Sequence, residues 1–153
     1  MGKLRTLAAG AAGGLAGAAL MAPLNSLGSK LTGTRTSVYD DPTVKVANAV
    51  FSAVTGRRIP YSKRRMAGTI VHFAFAAGIG ALYALLAEEH PRLAKGAGVL
   101  MGSAMYGGAH SLAVPALGLS ASPAKNGLVN ETCEFAAHLA YGTVTDAVRR
   151  VLA

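Results

Sequence analysis

The chain has 153 residues, of which 52% are hydrophobic and only 14% charged, with a net charge of +8. That is the length of one domain, and the charged share is well under the roughly one quarter usual in soluble domains. The Lys and Arg residues are scattered among segment ends without a stacking-aromatic motif, which argues against a nucleic-acid binder and for anionic lipid headgroups or cytoplasmic membrane ends as their partners.

The first apolar segment, about residues 7–27, carries no charge but is soft, rich in Ala and Gly. A cleaved signal peptide is its alternative reading. A retained helix is preferred, because Leu20 makes a poor cleavage motif before Ala22 and Pro23 follows directly. Gly10, Gly14 and Ala18 recur every four residues, forming a small-residue face for another helix. Met1-Gly2 with Thr6 matches the short, permissive pattern for N-myristoylation and carries little weight.

A polar stretch follows. Within it, Asp41-Pro42 reads as an N-cap and first helical residue, and Gly56 as a stop. Val46, Ala47, Val50, Phe51 and Val54 form one apolar stripe, so a short amphipathic helix is expected over about 42–55, at the membrane surface or over the bundle mouth. The basic residues Arg57, Arg58, Lys63, Arg64 and Arg65 read as a charged anchor ahead of the next span.

Two further segments, about 66–87 and 97–118, contain no formal charge beyond one histidine each, and both are long enough for a ~30 Å hydrocarbon core. The short link between them makes them antiparallel neighbours. Pro115 is expected to kink or end the third. The fourth, about 128–148, holds carboxylates and is assigned as a span because the hairpin before it needs a partner. The expected fold is therefore all-α: a single membrane domain over 1–153, an integral four-helix bundle with one interfacial helix and no sheet.

The fourth segment carries the chemistry. Glu131, Glu134, His138, Tyr141 and Thr145 follow steps of three and four and share one helical face. Ionisable groups in membrane helices are costly, so they face a bundle interior, a cavity or each other. At ~1.5 Å per residue, His72, His110, Glu131, Glu134 and His138 all fall in the same membrane half. Tyr83 and Tyr106 are placed as a second polar layer, as second-shell groups or a relay. The lone cysteine, Cys133, lies off this stripe and excludes a disulfide and any Cys-x-x-Cys zinc site.

The same residues carry a resemblance. A histidine opening the second span with Tyr83 and Glu88 downstream, the His110, Pro115, Gly118, Leu119 element, and Glu134 and His138 ahead of Arg149 and Arg150 together resemble the YagU-like family of bacterial inner-membrane proteins. The likeness covers roughly residues 42–150; this chain is shorter than the name-giving member, mainly in the polar loop before the second span. It implies a multi-pass protein of the bacterial inner (cytoplasmic) membrane and an association with acid resistance of no established mechanism.

Two functional readings of the cluster stand beside a purely structural one. Three imidazoles and a carboxylate suit a transition metal (Zn, Fe or Cu) or haem, with His72, His110, Glu134 and His138 as ligands and Glu131 nearer the mouth. The Glu134/His138 spacing is neither HExxH nor the Glu-x-x-His of di-iron bundles. The alternative is a proton relay built from the same groups, in an acid-stress protein. The structural reading is that His and Glu only bond across helices to fix their packing. A small accessory subunit of a larger membrane complex, or a homo-oligomer, is a further possibility. Conventional enzymatic motifs (P-loop, GxGxxG, GxSxG) are absent. For orientation, four spans leave six basic residues on the side of the termini and nine, including Arg35, on the side of the long loop; the count places that loop in the cytoplasm.

Overall fold

Glycine sets how close the helices of this protein come. In the computed structural model, which describes residues 2–33 and 37–152, every described segment of regular structure is helical and no strand occurs among the described residues. Met1 and Arg35 lie outside the described residues.

Helix α1 runs Lys3–Thr32 and ends at Gly33, whose φ of 67° is left-handed. Helix α2, Pro42–Thr55, starts at Asp41, whose carboxylate accepts from Thr43 N at 2.8 Å and Val44 N at 3.4 Å. Helix α3 is Tyr61–Glu89, so Lys63, Arg64 and Arg65 lie within its first turns rather than ahead of it. A 3₁₀ turn over Pro91–Gly96 leads to α4, Val99–Ala104. The chain then continues as a π-helix over Met105–Ala113 and closes with α5, Val114–Ala116. Pro115 thus sits in the last helical turn before Gly118, which has φ 69°. A short turn, α6 (Pro123–Asn126), precedes α7, Leu128–Leu152.

Helices α1 and α3 are long and apolar enough to cross a membrane. They pack through glycine. A Cβ added at Gly10 would overlap Gly80 and Ala84, and one at Gly14 would overlap the Ala76 carbonyl. Ala18, level with this seam, is fully buried. On its other side α1 meets α7, where Gly13 lies against the Thr145 carbonyl and Gly17 against Tyr141. Helix α4 joins α7 through a third seam, in which Gly98 and Gly102 face Gly142 and the His138 carbonyl. Small residues let backbones approach this closely, and dispersion contacts then accumulate along the whole helix. The core reflects it: Ala18, Ala76, Ala87 and Ala137 are buried together with Met21, Met101, Tyr83 and Tyr141.

Helix α7 touches α1, α3 and α4 in turn, so the most polar long segment of the chain is the central one. Its Tyr141 hydroxyl donates to the Ala76 carbonyl of α3 at 2.8 Å, and its Thr145 hydroxyl to its own Tyr141 carbonyl at 2.7 Å. Such bonds satisfy hydroxyls that no water reaches.

Candidate functional site

Three elements bring the polar residues of α7 together with partners: α7 itself, the π-helix and α3. The π-helix supplies Tyr106 and His110. The two residues are four apart and share one face, and their rings stack 5.3 Å apart at 18°. π-turns are rare and concentrate at functional sites.

Glu131 is the hub. It is buried, with 9% of its surface exposed. The Tyr106 hydroxyl donates to its Oε2 at 2.7 Å, and the Asn126 amide donates to Oε1 at 2.8 Å. His110 Nε2 lies 3.4 Å from Oε2, close enough for an ion pair when the imidazole is protonated. A buried carboxylate held by three partners is compatible with the low dielectric around it, whereas an unpaired one would not be.

His138 stands next to this hub. Its ring lies 5.4 Å from His110 and 5.8 Å from Tyr106, centroid to centroid. Its Nδ1 is 2.8 Å from the backbone carbonyl of Glu134, one turn earlier. A carbonyl only accepts, so Nδ1 carries the proton there, and in the neutral ring Nε2 is the lone-pair nitrogen. Phe135 packs edge-on against Tyr106 at 5.0 Å and walls one side.

The other expected residues are placed differently. Glu134 is half-buried, within Coulombic reach of His110 and Glu131, and it is the Glu134 backbone carbonyl that meets His138. His72, half-buried on α3, lies within Coulombic reach of His138, with its ring edge-to-face against Phe73. Tyr106 belongs to the same layer as His110 and Glu131. Tyr83 lies about two turns of α7 beyond His138, so the two tyrosines are in separate places. Among the described residues, no group of three or more His, Cys, Asp or Glu is arranged to hold a metal ion.

A second polar centre was not singled out in the sequence. Asp146, only 1% exposed, accepts from the Tyr83 hydroxyl at 2.9 Å, from Arg149 at 2.6 Å and from Arg150 at 2.7 Å. Arg149 also lies over the Tyr83 ring, 5.5 Å from its centroid. The signal for it was present: an acid three and four residues ahead of two arginines on one helix. Asn126 was likewise missed, because it lies in the loop before α7 and only the fold turns it toward Glu131.

Comparison with known proteins places these residues in a family. No curated protein matches the chain, and no solved structure does. Residues 29–147 match the model of a protein family of unknown function, DUF1440, a stretch that includes α2, α3, the π-helix and every residue of the Tyr106/Glu131/His110/His138 cluster. The chain belongs to the DUF1440 family.

Proposed function

We propose that this protein is a multi-pass protein of the bacterial inner membrane that handles protons at the Tyr106/Glu131/His110/His138 cluster. The carrying observation is the bonding of Glu131: a buried carboxylate joined to a tyrosine hydroxyl and a histidine ring, with a second histidine ring tilted at 58° against the first, 5.4 Å away. Carboxylate, phenol and imidazole together both give and take protons. The Nε2 lone pair of His138 extends the chain of acceptors beyond His110. Membrane placement is supported by large apolar side chains exposed on α1 and α3, such as Leu20, Leu27, Ile70, Phe75 and Leu82. On this reading α4 with the π-helix, and α7, complete four spans, and the long loop with α2 faces the cytoplasm. The resemblance to YagU-like proteins, with their acid-resistance association, leans the same way.

The test is reconstitution into liposomes loaded with a pH-sensitive dye. An imposed pH step should relax faster with the protein than without it, and Glu131→Gln should abolish the difference. Equal relaxation in wild type and Glu131→Gln would overturn the reading.

Metal or haem binding by His72, His110, Glu134 and His138 is the second reading. One observation favours it: ligating histidines usually donate their other ring N–H to a carbonyl or carboxylate, as His138 does. It requires the Glu134 carboxylate and His72 to draw in toward His138. Elemental analysis and a haem spectrum of the purified protein decide it.

A further inference from the structure

The end of the bundle opposite the cluster gathers the basic residues of both termini and of the α3–α4 link. Arg5 Nε donates to the Leu152 carbonyl at 3.2 Å, and an Arg150 guanidinium N–H donates to the Ala94 carbonyl. These bonds tie α1, α7 and the 3₁₀ turn into one surface. Within it lies an open cleft of about 700 Å³, lined by Ala87, Pro91, Ala94, Lys95, Arg149 and Arg150.

We propose that this cleft is a phosphate-binding site, and that its natural occupant is the headgroup phosphate of an anionic phospholipid. Three of its six lining residues are cations and none is a carboxylate. The nearby Asp146 is almost wholly buried behind them and already holds both guanidinium groups. It fixes their orientation without cancelling the charge: counting the lining residues and Asp146 behind them, one carboxylate stands against three cations, with Glu88 and Glu89 outside the lining at the end of α3. Each guanidinium has five N–H donors, and Asp146 and the Ala94 carbonyl engage two on each. The remaining donors form the planar fork that suits phosphate oxygens.

The apolar half of the wall selects the source. Ala87 closes the apolar run of α3, one of the two helices suited to cross a membrane. Leu86, the residue before Ala87, and Leu82, about one turn further back, are exposed on that helix. A ligand with a phosphate above and acyl chains below matches a basic cleft at the end of an apolar helix, the arrangement by which membrane proteins hold anionic headgroups. Inorganic phosphate shares the polar half of this chemistry only. The site is independent of the proton reading, because it shares no residue with the cluster.

The test uses the full chain purified in mild detergent. Native mass spectrometry would follow adducts of added phosphatidylglycerol against added phosphatidylcholine, and thermal unfolding would be measured with and without inorganic phosphate. Wild type should retain phosphatidylglycerol over phosphatidylcholine by about five-fold or more, the scale of one basic residue near an anionic surface. Lys95→Gln and Arg150→Gln should each remove that preference. Lys95 is exposed and outside the Asp146 network, so its variant tests the charge even if Arg150→Gln loosens the fold. A thermal shift by inorganic phosphate that Lys95→Gln abolishes, without lipid preference, would keep the phosphate site and reassign its occupant. Equal retention of both lipids with no phosphate shift, or a preference unchanged in Lys95→Gln, would overturn the proposal.

Discussion

The Tyr83 hydroxyl of α3 donates to Asp146 Oδ1 of α7 across 2.9 Å, in a spot where Asp146 is 1% exposed. The pair is one polar fastening between α3 and α7; the Tyr141 hydroxyl on the Ala76 carbonyl is another. Tyr83→Phe removes one donor to the carboxylate and leaves both arginines in place, so it should cost about 1.5–3 kcal/mol. Asp146→Asn leaves Arg149, whose side chain is 12% exposed, without its countercharge, and should cost about 3–5 kcal/mol. Thermal unfolding in detergent reads both. Equal losses would mean that the tyrosine, not the charge, carries the contact.

The glycine seams predict a sharp positional contrast. A Cβ at Gly14 or Gly142 would sit inside the partner helix's backbone, so Gly14→Ala and Gly142→Ala should each destabilise by about 1–3 kcal/mol. Gly78 lies on α3 with nothing within 4 Å of an added Cβ. Gly78→Ala should therefore be neutral or stabilising by up to about 1 kcal/mol, through helix propensity alone. A similar melting temperature in all three variants would remove close packing as the reason for these glycines.

Tyr106 and Asn126 each hold one oxygen of the Glu131 carboxylate. Tyr106→Phe and Asn126→Ala should each cost about 1.5–3 kcal/mol, the range for bonds to a charged group. Because both act on the same buried carboxylate, the double variant should depart from additivity by about 0.5 kcal/mol or more. Strict additivity in that cycle would show that the two donors act separately.

For the metal reading, protonation of imidazole competes with coordination, so any bound metal should be released as pH falls. His138→Ala should lower stoichiometric metal in a metal-replete preparation. Clean absence of metal in wild type under the same conditions leaves the hydrogen-bonded cluster as the site.

What the sequence made legible was what is written locally or periodically. The Asp41-Pro42 start and Gly56 stop bracket α2 because caps act within one turn. The single polar face of α7 follows from the helical repeat alone. What it did not disclose depends on register and on loops. The π-helix has no local signature here, so Tyr106 could not be placed level with His110. Asn126 reaches Glu131 only because α6 turns the loop back. The sequence put Glu134 among the ligands and Glu131 nearer the mouth, yet it is the Glu131 carboxylate that the π-helix bonds. Asp146 was not singled out because Tyr83 reaches it from another helix, a contact no local spacing discloses.

The first part of the π-helix, from Met105 to His110, separates two fixed points on the same partner helix. Upstream, Gly102 is seated against the His138 carbonyl; downstream, the His110 ring lies 5.4 Å from the His138 ring. The angular phase between those two contacts is set by how many residues fill the turn between them. Losing one residue there would rotate everything downstream by roughly a quarter of a turn, carrying His110 away from both His138 and Glu131. Substitutions along this stretch, at Gly107 or Gly108 for example, meet open space. The stretch is therefore far less tolerant of a change in length than of a change in side chain.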